Sequence, residues 1–192
     1  MLRLKDKRGF TLVELAIVLV IIGIILGAIL KGQELITNAK TKRFYNQYRE
    51  IVAAIYTYYD RYGNLPGDDN TAQSRWSTTS NGDGDGLIET AISFACTTNS
   101  PESCGLWEHL RLANIISGTG PTNPKHVFGG AIGVGYATIQ GVSTNWIGFQ
   151  NVPREIGGTI DTQYDDGDYT SGSIVASGAY TGTGTIILYF RL

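Results

Sequence analysis

KRGFTLVELAIVLVIIGIILGAIL, residues 7–30, decides how the rest of the chain is read. From Leu15 to Leu30 it contains no charged residue; extended back to Phe10 it contains one, Glu14. A helix of 21 residues, Phe10 to Leu30, is about 30 Å long and spans the hydrocarbon core of a bilayer. A secretory signal has a shorter apolar run closed by a small-residue cleavage site. Here the run is followed by KGQELITNAKTKRFYNQY (31–48), polar and helical in pattern, with no Ala-x-Ala site. Upstream, Arg3, Lys5, Lys7 and Arg8 stand against Asp6, which is the form of a cytoplasmic flank. Glu14 is the anomaly, because an ionised carboxylate in an apolar segment is unfavourable unless it finds a partner.

The residues around Glu14, Lys7-Arg8-Gly9-Phe10-Thr11-Leu12-Val13-Glu14-Leu15, resemble the class III signal of type IV pilins and type II secretion pseudopilins. The resemblance implies cleavage between Gly9 and Phe10 by a membrane prepilin peptidase, and N-methylation of Phe10 by the same enzyme. It also implies an assembly charge pair, in which the new amine at Phe10 meets Glu14 of a neighbouring subunit. Each group is costly to bury alone and tolerable as a pair, so the pair can set the stagger between subunits. Many pilins have Pro where this chain has Lys31, so a straighter stem is expected, with Gly23 and Gly27 as its weak points. The spacing of those two glycines also lets helices approach closely, although Gly is common in membrane helices in any case.

Beyond Lys31 the apolar positions Leu35, Ile36, Ala39, Phe44, Tyr48, Ile51, Val52, Ile55, Tyr59 and Tyr62 recur at helical spacing. Gly63 and Pro66 then supply a stop. The domains expected are a cleaved leader (1–9), a long helix (10–62, with 10–30 in the membrane or filament core) and a globular head (63–192). Within the head, residues 106–116 read as a helix closed by Gly118, 131–150 as strands, 152–167 as a short helix, and the C-terminus as a hairpin. The fold class is α+β: by resemblance the type IV pilin fold, a long N-terminal helix packed on a C-terminal antiparallel sheet. Scattered motifs in the head also look like those of pilin-like proteins: Tyr62-Gly63-Asn64-Leu65-Pro66-Gly67-Asp68, the run from Asn81 to Gly86, Trp107-Glu108-His109-Leu110, Ala113-Asn114-Ile115-Ile116, Ile160-Asp161 and Asp165-Asp166-Gly167.

Of 15 Lys and Arg, four fall in residues 1–9, and of 17 Asp and Glu only one does, so the remainder is acidic by five charges. Such a body gives no reason to expect phosphate binding, and no nucleic-acid partner is expected. Lys40, Lys42, Arg43 and Arg49 read as a solvated helix face, and Tyr-rich residues 56–62 as packing. Two His, no nucleophile motif, and a GGAIGVG run (129–135) without a dinucleotide-loop context argue against an enzyme.

Two further sites are weighed. NGDGDGLIE (81–89) places Asn81, Asp83, Asp85 and Glu89 where a calcium loop would gather oxygens, but Ile92 stands where an EF-hand needs Glu. A calcium loop completed by Glu89 or a distant carboxylate, and a hydrated Asp/Gly turn, both stay open. Asp161, Asp165, Asp166 and Asp168 form a second acidic cluster, read as turn chemistry. Cys96 and Cys104 close a short loop and read as a disulfide in an oxidising periplasm, contributing about 2–3 kcal/mol by the loop-entropy model.

The function expected is that of a structural subunit, a helical homo-oligomer requiring no cofactor. The resemblance implies an inner-membrane assembly platform and ATPase as partners. It implies an inner-membrane location with the head in the periplasm, and then a pilus or pseudopilus filament. The alternatives are a secretion pseudopilin, or a minor tip pilin acting in adhesion or DNA uptake.

Overall fold

The computed structural model describes residues 9–192, and the basic residues of the leader lie outside the described residues. In chain order the elements are α1 (Leu12–Tyr62), α2 (Ala72–Arg75), α3 (Glu102–Leu112), β1 (Ile132–Ile139), β2 (Val142–Pro153), α4 (Arg154–Tyr164), β3 (Ile174–Ala176) and β4 (Thr185–Arg191). The chain forms two compact units, one ending at Lys40 and the other running from Thr41 to Leu192.

In the first unit α1 is unbroken through Gly23, Gly27 and Lys31. Lys31, which cannot kink a helix as Pro would, instead pairs with Glu34 at 2.7 Å. Every residue from Leu12 to Leu30 is exposed. Its most apolar 18-residue window has a mean hydropathy of 3.0, so the helix is long and apolar enough to cross a membrane.

In the second unit the remainder of α1 buries Phe44, Ile51, Ala54, Ile55 and Tyr58, with Tyr48 and Tyr62 half-buried. Residues 44, 48, 51, 55, 58 and 62 step by four and three, which keeps one face on the core. Tyr59, expected on that face, is 46% exposed, because Tyr58 takes the stripe position and Tyr59 lies one residue further round. Leu35 and Ile36 are likewise exposed.

The sheet is antiparallel with order β1-β2-β4-β3, so the last strand of the chain lies between its predecessors. Registered pairs place Ile132, Val134, Ile147, Phe149, Leu188, Phe190, Ile174 and Ala176 on one face, all buried. Against it pack Phe44, 4.6 Å from the Phe149 ring, and Tyr48, stacked at 4.2 Å on Phe190. The β1–β2 hairpin turns on Gln140 and Gly141, both at positive φ as a two-residue type I′ turn requires. A bulge between Phe149 and Val152 puts Asn151 at φ 60° and frees the Gln150 carbonyl, which accepts from His126 Nε2 at 2.6 Å.

On the second face of the sheet a neighbouring loop packs against glycines. Gly133 and Gly148 allow the segment around Ile92–Phe94 to lie directly on the strands. A Cβ at Gly133 would meet the Ser93 carbonyl oxygen at 2.6 Å, and one at Gly148 would meet Phe94 at 2.9 Å. The Cys96–Cys104 disulfide, with Cα atoms 5.4 Å apart, ties this segment to the first turn of α3. That helix begins four residues earlier than expected, directly after Pro101, and is closed by Asn114 (φ 55°) rather than Gly118. The Ile115 N–H returns to the Leu110 carbonyl at 3.0 Å, the bond of a Schellman-type end that an αL Asn permits.

The close approach at Gly133 makes a test. Gly133→Val is expected to lower unfolding stability by about 1–3 kcal/mol, as overpacking does, whereas Thr185→Val, at an exposed strand position, should be nearly neutral. Urea denaturation of the two variants would show the contrast, and equal stabilities would reject the packed glycine face.

Candidate functional site

The first turn of α1 carries the residues that matter most. Thr11 is the N-cap and Glu14 the third helical residue. Glu14 N–H donates to Thr11 Oγ1 at 3.2 Å, while Thr11 N–H and Thr11 Oγ1 each donate to Glu14 Oε2 at 2.8 Å. This reciprocal arrangement is a capping box, which satisfies amides that the helix itself leaves unpaired. In a single chain, therefore, Glu14 is held by its own helix start. The Thr-x-x-Glu spacing ahead of an apolar run was the available signal for Thr11, a residue to which sequence reasoning gave no role. Phe10 is 79% exposed and Gly9 is exposed.

In the second unit, the polar centre lies where α1 ends. Gly63, at φ 82°, closes the helix by donating to the Tyr59 carbonyl at 2.7 Å. The chain then turns into Asp68 and Asp69, both buried. Asp69 accepts from Tyr58 Oη at 2.7 Å and from the N–H and Oγ1 of Thr71, and it pairs with Arg75. Burial works against its charge, but these hydrogen bonds hold the carboxyl below its ordinary range.

Asp68 organises the loop flagged as a calcium candidate. Its Oδ1 accepts from the Gly84 and Asp85 amides at 2.7 and 3.1 Å, and its Oδ2 from Gly86 at 2.8 Å. The loop thus turns three N–H groups inward onto the Asp68 carboxylate. Burial raises the Asp68 carboxyl above its ordinary range. Of the four candidate ligands, Asp83 and Asp85 join Asp68 in a group of oxygens within 4.8 Å of one another that could hold a metal ion. Asn81 is occupied by the Gln73 amide at 2.7 Å, and Glu89 is not in the group. Glu102 accepts from the Asp83 and Glu89 amides at 3.1 and 2.8 Å and so clamps both ends of the loop. The Asp161 cluster is wired alike: Asp161 accepts from Tyr180 Oη at 2.6 Å, and Asp165 from the Ser173 and Ile174 amides at 2.6 and 2.7 Å.

His109 lies beneath the Asp68 loop, fully buried. Its Nδ1 accepts the Gly67 amide at 3.0 Å, so Nε2 carries the proton and donates to the Ser80 carbonyl at 3.0 Å. Both ring nitrogens of His109 thus serve the backbone.

Residues 4–30 match the family model of the prokaryotic N-terminal methylation motif. No curated protein and no solved structure matches the chain. The motif is the class III signal, characteristic of type IV pilins and pseudopilins, and its position coincides with the start of the apolar helix. It supports a type IV pilin-like or pseudopilin protein and implies processing by a prepilin peptidase and assembly into filaments. The observed α+β architecture, a long N-terminal helix and a C-terminal antiparallel sheet, matches the pilin fold.

The wiring of His109 gives a pH dependence. Burial holds its folded-state pKa below the ordinary value of 6.5, and the same cause acts on His126. Their contribution is therefore complete above pH 6.5 and is lost as pH falls from there through the depressed folded values. The urea midpoint is expected to be lower at pH 5 than at pH 7.5, with a smaller difference in His109→Gln. An unchanged pH slope in that variant would reject the assignment.

Proposed function

We propose that this chain is a structural subunit of a type IV pilus or pilus-like filament, cleaved between Gly9 and Phe10, N-methylated at Phe10 and polymerised through α1. The observation that carries this is the helix from Leu12 to Leu30: wholly exposed, apolar, and started by the only carboxylate in the segment. Such a surface suits lipid before assembly and the same surfaces of other copies afterwards. Glu14 exchanges its Thr11 partners for the amine of a neighbour's Phe10, so neither charge is left alone in an apolar surrounding. The head needs no cofactor for this role and performs no reaction. An inner-membrane platform and its ATPase extract the subunit, which stands with its head in the periplasm beforehand.

Mass spectrometry of the mature protein is expected to find an N-terminus at methylated Phe10; an intact Met1 would refute the processing. Glu14→Ala is expected to be cleaved normally and to be lost from sheared filaments. Incorporation of that variant at the level of the native chain would remove Glu14 from assembly. Dependence of the filament on a retraction motor, rather than on a secretin with companion pseudopilins, separates the surface pilus from the secretion piston.

A further inference from the structure

The second unit has few exposed large apolar side chains, and two of them stand together. Tyr56 and Tyr59, 49% and 46% exposed, line an open groove of about 440 Å³ with Asp68, Asp85, Gly86 and Asn64. Two aromatic faces beside carboxylates, one of them the exposed Asp85, are the components of a site for an organic cation. The cations that would suit it lie on the other flank of the same helix segment. Glu50 is nine residues from Tyr59, which at 100° per residue places it about half a turn away. A second cavity, of about 180 Å³, is lined there by Glu50, Gln47, Ala54, Arg111 and Lys125. Arg111 is committed to the Gly120 carbonyl and Arg43 to Glu50. Lys125 forms no ion pair among the described residues.

We propose that the groove between Tyr56, Tyr59 and Asp85 receives Lys125 of a second copy of this chain. The inference rests on the filament reading above and names the head contact that would accompany the stem contact. Unlike patches on opposite sides of one helix make a heterologous interface, which adds copies without closing a dimer. The ammonium would lie against the tyrosine faces with Asp85 as its counter-ion. Asp68, buried and already accepting from three loop amides, would fix the loop, leaving the exposed Asp85 to meet the cation.

The test uses the full-length chain expressed with its assembly machinery, scoring sheared filament against processed subunit in the membrane. Lys125→Glu and Asp85→Lys are each expected to lower filament yield about tenfold, with processed subunit unchanged, as reversing one charge of a contact should. The double variant, with the charges exchanged, is expected to recover most of that yield. Independently, Tyr59→Cys with Lys125→Cys is expected to give a ladder of disulfide-linked copies in oxidised filaments. Native yield in both single variants, or no recovery in the double variant together with no ladder, would overturn the contact. A native chain that is processed yet forms no filament would instead remove the filament reading on which the contact depends.

Discussion

From Leu15 to Leu30 the helix carries no charge, and every residue of that stretch is exposed. Every other property of the molecule has to accommodate that surface, because water is the one environment that does not suit it. The hydrophobic term is large for such a stretch, and it can be satisfied by acyl chains or by like helices. The backbone has already been satisfied by the helix itself, so nothing else in the segment needs a partner except its start. There the unpaired amides and one carboxylate resolve each other through Thr11 and Glu14.

Much of this could be read from residue order. The apolar run, the N-terminal methylation motif, α1 and its stop at Gly63 were all legible, because each depends on residues close together in the sequence. The strand character of residues 131–150 and the short helix after Pro153 were legible for the same reason. The insertion of β4 between β2 and β3 was not, since it is fixed by which strands bury Ile186, Leu188 and Phe190 together. Tyr59 was placed on the wrong face because adjacent tyrosines at 58 and 59 fit the period almost equally, and only the core decides between them. Gly133 and Gly148 gave no warning of their use, because the segment that lies on them is about forty to fifty residues distant in sequence.

The acidic loops bring carboxylate oxygens and backbone amides together in one place. Asp83 and Asp85 have the spacing of a cation loop, and the oxygens of Asp68 do come close to theirs. The dominant interactions, however, are amide hydrogen bonds onto Asp68, a residue that stands before α2 and well outside the motif. Asp161 and Asp165 act in the same way toward the turns that precede β3. In both places a carboxylate substitutes for regular secondary structure by collecting several N–H groups that would otherwise need water.

The clamping of residues 83–89 by Asp68 and Glu102 bears on association as much as on folding. A loop that meets a partner while still mobile loses conformational freedom on contact, and that loss subtracts from affinity. Here the amides of Asp83, Gly84, Asp85, Gly86 and Glu89 are all engaged before any encounter. The edge it presents is therefore already ordered, and a weak contact made there would keep most of its intrinsic strength. In a polymer that repeats the contact at every subunit, that small saving in entropy would recur along the whole length.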